Sequence, residues 1–270
     1  MRSIQDAKRI VVKVGTSTLT YDTGKINLRR VNRLAAVLAD LRNAGREVAL
    51  VSSGAIGAGV GKLGLPERPV DTCGKQAAAA VGQCELMFLY SKLFGEYGNV
   101  VAQLLLTRED VDAPRRRENL LNTFTKLFEL GAIPVVNEND SVSTAEIEAG
   151  QMVSHISFGE NDALAAIVAK LIGADALIFL TDADGLYTGN PAEHDEAVFL
   201  PVVSRVTEEI LALAGPSGTG RGSGGMVTKL QAAREATEAG IDTVIMNGIQ
   251  PENLYQLFDG RQMGTWFKRQ

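Results

Sequence analysis

The run Ile10-Val11-Val12-Lys13-Val14, closed by Gly15-Thr16-Ser17-Thr18, decides the fold class. Five residues, four of them Val or Ile, show no polar alternation. Such a run fits a parallel strand covered on both faces; a half-wet antiparallel strand would alternate. Lys13 is the exception within it. A buried ammonium is costly unless it meets an anion, so Lys13 is a candidate anion-binding group. The competing placement is an edge strand with Lys13 in water.

Five more runs of the same kind follow along the chain, at Val48–Val51, Val100–Leu106, Ile133–Val136, Ala176–Leu180 and Thr243–Met246. Helical patterns separate them. Leu28, Val31, Leu34, Ala35, Leu38 and Leu41 make one apolar stripe, and Leu86, Leu89, Tyr90 and Leu93 another. Leu120, Leu121, Phe124, Leu127 and Phe128 make a third, with Asp112 expected as its cap and Pro114 in its first turn. Leu164, Ile167, Val168 and Leu171 make a fourth. Met226, Leu230 and Ala233 begin a fifth, which ends near Gly240. Strands alternating with helices predict an α/β fold, a three-layer α/β/α sandwich on an open, mainly parallel sheet. No linker leaves each half its own core, and no repeat is visible, so residues 1–270 are expected to form a single domain.

Composition agrees with a globular chain. Of 270 residues, 45% are hydrophobic and 22% charged, with a net charge of −5, which rules out a disordered or fibrous chain. A mildly acidic balance argues against a general nucleic-acid or anionic-membrane binder. No apolar run reaches the ~20 residues of a membrane span, and the start MRSIQDAKRI lacks the apolar core of a signal peptide. A cytoplasmic location is expected. The two cysteines, Cys73 and Cys84, form no CxxC and are expected to be reduced helix residues. His155 and His194 stand apart and are expected in loops, and Arg115-Arg116-Arg117 in a solvated first helical turn.

In open parallel sheets ligands bind beyond the carboxyl ends of the strands, so the residues after each run outline the site. They are Gly15-Thr16-Ser17-Thr18, Ser52-Ser53-Gly54-Ala55-Ile56-Gly57, Thr107-Arg108-Glu109-Asp110, Asn137-Glu138-Asn139-Asp140, Thr181-Asp182-Ala183-Asp184-Gly185 and Asn247-Gly248. Hydroxyls, amides, carboxylates and glycines suit a phosphate and a small polar substrate. Ser53-Gly54 and Gly222-Ser223-Gly224-Gly225 precede helices, where bare backbone and free N–H groups can hold an anion; the competing reading is that the glycines serve only tight turns. Lys229, in the first turn after the second cluster, is a candidate phosphate ligand or an ordinary surface lysine. Gly59-x-Gly61-x-x-Gly64 and Gly220-x-Gly222-x-x-Gly225 match the dinucleotide fingerprint in letters only, since neither directly follows a strand. There is no Walker A motif and no HRD or DFG motif.

The ordered set Val12-Lys13-Val14-Gly15-Thr16-Ser17, Ser52-Ser53-Gly54-Ala55-Ile56, Asn137-Glu138-Asn139-Asp140, Asn161-Asp162, Thr181-Asp182 and Gly224-Gly225-Met226-x-Thr228-Lys229 resembles the amino acid kinase superfamily and, within it, the glutamate 5-kinases. The similarity runs from about Lys8 to Phe267. It implies ATP- and Mg²⁺-dependent phosphorylation of the side-chain carboxylate of L-glutamate, the first step of proline synthesis. Lys13 and Lys229 are then the phosphoryl ligands and Asp162 the residue that holds them, these three being catalytic. Ser53, Asp140 and Asn161 fall at glutamate-binding positions. Lys13, Thr181, Asp182, Ser223, Gly224, Gly225, Met226, Val227, Thr228 and Lys229 fall at nucleotide-binding ones. No protein metal ligand is implied, Mg²⁺ being held mainly by the nucleotide phosphates.

The resemblance further implies a homo-oligomer, proline as a feedback inhibitor, and a glutamyl-phosphate reductase downstream. It places the glutamate side mainly in the N-terminal part and the nucleotide side mainly from about residue 170. The alternatives are a sibling kinase for another small acid or phosphate, and a non-catalytic proline or glutamate sensor. Two departures stand out. The chain stops at Trp266-Phe267-Lys268-Arg269-Gln270, as expected of a kinase-only form without the RNA-associated PUA domain. The stretch between Asp140 and Asn161 is long, and Ala149–Ser157 within it is expected to form a lid or inter-subunit element beside glutamate, unless it is a passive surface insertion.

Overall fold

A computed structural model describes residues 4–21, 25–142, 161–191, 193–194, 196–214 and 225–270. Ser223, Gly224, His155 and the Ala149–Ser157 segment lie outside the described residues. A short 3-10 turn at Ile4–Asp6 leads into β1 (Arg9–Val14), α1 (Thr16–Leu19), α2 (Leu28–Asn43) and β2 (Glu47–Ser52). Next come α3 (Ala55–Leu63), α4 (Thr72–Glu96), β3 (Val101–Leu106), α5 (Arg108–Asp112), α6 (Pro114–Glu129) and β4 (Ile133–Glu138). Then follow α7 (Asn161–Ile172), β5 (Ala176–Thr181), β6 (Leu186–Tyr187), β7 (Phe199–Leu200), β8 (Val202–Val203) and α8 (Glu208–Ala212). The chain ends with α9 (Met226–Glu238), β9 (Asp242–Asn247), α10 (Asn253–Phe258) and β10 (Thr265–Phe267).

All six strands read from the sequence are present, in one eight-stranded sheet ordered β3-β4-β2-β1-β5-β9-β10-β8. The first six in that order are parallel. β10 runs antiparallel to β9, and β8 parallel to β10. These last two are three and two residues long, too short for any hydrophobic period to reveal. The same holds for the small β6–β7 pair.

β1 lies between β2 and β5, so its side chains are covered on both faces. Ile10, Val12 and Val14 face a core layer with Leu34 and Leu38 of α2, Leu86 and Tyr90 of α4 and Leu254 of α10. Val11 faces the opposite layer, with Phe124 of α6, Leu164 and Val168 of α7, and Leu230 and Ala233 of α9. Alternation along the strand puts Lys13 on that second face. It is 6% exposed and in a central strand, which settles the edge-strand alternative against solvent.

Two local expectations resolve differently. Asp112 does not cap α6. It ends α5 and pairs with Arg108 at 3.0 Å, while Ala113 precedes Pro114 at the start of α6. The carboxylate of Asp110 instead accepts the Thr107 N–H at 2.8 Å, at the start of α5. The Gly59-x-Gly61-x-x-Gly64 run is helix packing, with no phosphate loop. A Cβ at Gly59 would lie 1.8 Å from the Ala78 carbonyl oxygen, and one at Gly82 would lie 1.8 Å from that of Ala55. The two glycines let α3 and α4 approach backbone to backbone. Cys73 and Cys84 are free and exposed on α4, and His194 sits in an irregular stretch after β6.

Candidate active site

The carboxyl ends of β1, β2 and β4 gather around the start of α7. Its first two residues reach different partners and build two clusters. Asp162, 1% exposed, binds Lys13 from β1, with Nζ 2.7 Å from Oδ1. The same carboxylate binds Lys229 from α9, with Nζ 3.2 Å from Oδ2. The Thr228 hydroxyl donates to Oδ2 at 2.7 Å. Lys229 is 7% exposed, which excludes the ordinary surface lysine. Burial alone would push the Asp162 carboxyl up. The charges of Lys13 and Lys229, with hydrogen bonds from Lys13 and Thr228, more than reverse this and bring it down to about 2. Asp162 is therefore ionised at neutral pH, and two ammonium groups from different elements converge on it.

The second cluster is neutral. The Asn161 Nδ2 donates to Ser53 Oγ at 2.9 Å and to Asn137 Oδ1 at 2.9 Å. The Asn137 Nδ2 in turn donates to Gln83 Oε1 at 3.0 Å. Ser53 is held at the β2–α3 turn by its N–H donating to the Val14 carbonyl at 3.1 Å. The turn needs glycine at the next position, since Gly54 has φ +104. Beneath it, Ser52 Oγ and Tyr90 Oη share a hydrogen bond of 2.8 Å. Burial pushes the Tyr90 phenol up to about 12, the Ser52 contact opposing. Asp140, half-buried in the turn after β4, stands three residues past Asn137.

A third group forms where β5 and β9 end. Thr181 donates to the Asp182 carboxylate at 3.0 Å, and Asn247 Nδ2 donates to Asp184 at 2.8 Å and to the Asp182 carbonyl at 3.4 Å. Asn247 and Asp184 line a cavity of about 260 Å³ with Tyr187, Phe199, Met246 and Met263. Gly225 caps α9, so that helix begins beside Thr228 and Lys229.

Lys13, Asp162, Thr228 and Lys229 thus meet in one cluster and Ser53 and Asn161 in a neighbouring one, with Thr181 and Asp182 at the third group. Asn137 and Gln83 escaped assignment from the sequence. Asn137 at least heads the Asn-Glu-Asn-Asp run. Gln83 offered one faint signal: with Ala79, Leu86 and Tyr90 it continues the buried stripe of α4, where a polar residue needs a partner.

A family model described as amino acid kinase family matches residues 8–247. A glutamate 5-kinase of Clostridium perfringens is 51% identical over 266 residues, covering 98% of this chain and 97% of that protein. One from Listeria monocytogenes is 52% identical, covering 98% and 94%. The chain belongs to the amino acid kinase family, with the glutamate 5-kinases. A longer relative, the glutamate 5-kinase of Moorella thermoacetica, is 50% identical over 265 residues, which make up 68% of its length. Among solved structures, a UMP kinase from Bacillus anthracis superposes with a TM-score of 0.64 at 15% identity, over 97% of this chain and 96% of the other. The isopentenyl phosphate kinase of T. acidophilum gives 0.65 at 17%, over 96% and 100%. These two show the fold alone, since one fold hosts acceptors as different as these.

Proposed function

We propose that this chain transfers the terminal phosphoryl group of ATP to the side-chain carboxylate of L-glutamate, giving γ-glutamyl phosphate for the first step of proline synthesis. The convergence of Lys13 and Lys229 on Asp162, one residue from the amide of Asn161, carries the reading in a chain about half identical to glutamate 5-kinases. Two ammonium groups beside the start of a helix are a donor set matched to phosphoryl oxygens. ATP with Mg²⁺ supplies the phosphoryl donor and part of the charge neutralisation. Mg²⁺ is carried on the nucleotide phosphates.

Lys13 and Lys229 hold the transferring group from two sides, and Asp162 fixes both ammonium groups. A glutamate carboxylate oxygen forms the new bond to phosphorus as the bond to the leaving ADP oxygen breaks. Glutamate's carboxylate is already ionised at neutral pH, so no general base is required. Positioning and charge do most of the work. Ser53, Asp140 and Asn161 hold glutamate. Thr181, Asp182 and the 223–229 segment hold the nucleotide, with the cavity beside Asn247 available to its base. The N-terminal part of one domain then serves mainly glutamate, and the part from about residue 170 mainly ATP.

Among the described residues no helix is long and apolar enough to cross a membrane. By its likeness to glutamate 5-kinases, the chain works in the cytoplasm as a homo-oligomer, with proline as inhibitor and a reductase consuming the acyl phosphate. The deciding measurement is ADP release with Mg-ATP against glutamate, aspartate, acetylglutamate, carbamate and UMP, with hydroxylamine trapping of the acyl phosphate. Preference for glutamate with a trapped hydroxamate is expected. Preference for any other acceptor overturns the assignment.

A further inference from the structure

We infer that Gln83, on α4 and outside the substrate cleft, is a positioning residue for the acceptor site. It acts through Asn137 to fix the amide of Asn161. Gln83 is 8% exposed and Asn137 2%, and the bond between them is buried. The Ser52 carbonyl, which can only accept, lies 3.4 Å from the Asn161 nitrogen, and with that end fixed the three amides in a row have one self-consistent orientation. Asn161 gives its two N–H groups to Ser53 and Asn137, so the Asn137 oxygen must face Asn161 and the Asn137 nitrogen must face Gln83. Gln83 therefore works as an acceptor, through Oε1. Turning the Asn137 amide over would set two N–H donors against each other at Asn161 and two oxygens against each other at Gln83.

This orientation has a consequence at the cleft. With its nitrogen committed, Asn161 presents Oδ1, a buried acceptor with no hydrogen-bond partner among the described residues. A buried acceptor left unmatched is unfavourable, so the site is set to take a donor from its ligand. On the reading given above, the ammonium of glutamate is that donor. Gln83 holds the Asn137 amide that keeps Asn161 turned this way, although it stands two hydrogen bonds away.

α4 supports the site at a second point. Tyr90, seven residues on and on the same face, meets Ser52, whose carbonyl lies 3.4 Å from the Asn161 nitrogen. Both contacts come from the helix that Gly59 and Gly82 let sit tightly against α3. The glycine contact gives α4 a fixed height over the strand ends, so a side-chain oxygen on it can serve as a reference point.

The test compares Gln83→Met, close in volume but without the acceptor, with Gln83→Glu, which keeps it. Wild-type turnover first identifies the acceptor acid, so failure of the glutamate reading shows there and not in the variants. For that acid Gln83→Met is expected to raise KM roughly tenfold, the effect of one lost buried hydrogen bond. KM for ATP should stay within about twofold, since the charged cluster is untouched. Gln83→Glu should restore most of the acid KM. A KM rise shared equally by acid and ATP, or an unchanged acid KM, overturns the proposal. So does Gln83→Glu behaving like Gln83→Met. Melting temperatures of both variants are measured alongside, and should Gln83→Met fail to fold, the same readings are taken on Gln83→Asn, which withdraws the acceptor by one methylene.

Discussion

The two sides of the α7 start differ in kind although one peptide bond separates them. Around Asp162 three charges and a hydroxyl meet, and the attraction is strong and tolerant of direction. Around Asn161 all partners are neutral, and the contacts are directional hydrogen bonds. A phosphoryl group carries charge in every orientation and changes during the reaction, so charge is the suitable means of holding it. A small amino acid must be told from its analogues, which calls for directional bonds to buried groups. On the proposed reading, one helix N-terminus divides transfer from recognition.

The largest effect that would break this contrast is at Asp162. Asp162→Asn keeps the shape but leaves two buried ammonium groups without their shared carboxylate. Removing one partner of a buried ion pair typically costs about 3–5 kcal/mol. A large fall in melting temperature is expected, with turnover hurt more than glutamate KM. An effect confined to glutamate KM would instead place Asp162 with the recognition cluster. The acid response should change too. Because the Asp162 carboxyl is lowered to about 2 in the folded protein, the stability it contributes is present above the ordinary carboxylate value and is lost as pH falls through about 2. Unfolding curves measured between pH 5 and 2 should show a component in the wild type that Asp162→Asn lacks.

Next in size, Lys13→Ala and Lys229→Ala should each lower kcat by roughly 10²–10³, as expected for one preorganised charge contact to a transition state. Steady-state kinetics with folded variants checks this, and near-normal kcat in either would remove that lysine from transfer. Asn161→Ala should act oppositely, raising glutamate KM by about tenfold or more through lost hydrogen bonds while ATP KM holds. Comparable shifts in both constants would erase the division between the clusters. Thr228→Val removes one donor from Asp162 and should lower stability by about 1–3 kcal/mol, with kcat reduced several-fold. The baseline is Arg234→Ala. It breaks a pair with exposed Glu208 at 2.6 Å, and a change of no more than about 1 kcal/mol in chemical denaturation is expected.

Of the charged cluster, Lys13 was legible on physical grounds alone, whereas Lys229 stayed open to a surface placement and Asp162 came only from the family resemblance. Lys13 interrupts an otherwise apolar strand, and a lysine there is conspicuous because burial of charge is so costly. Asn137 was half legible, inside a polar run after a strand. Gln83 was not, because amides are common on helices and only packing shows which face is buried. The same limit applies to β8 and β10, which exist through pairing with β9 and with each other, and carry no period of their own.

The sequence by itself determined the six parallel strands, the helices between them, and the polar ends where a ligand must sit. Those follow from local periodicity, which each segment carries alone. Only the tertiary structure decided that Thr228 joins Lys13 and Lys229 on the Asp162 carboxylate, that Asn161 and Asp162 reach different partners, and that a glutamine on α4 bonds the Asn137 amide. Residues 13, 162 and 229 are far apart in the chain, and whether their side chains meet depends on strand order and helix height, which are set by packing across the whole sheet.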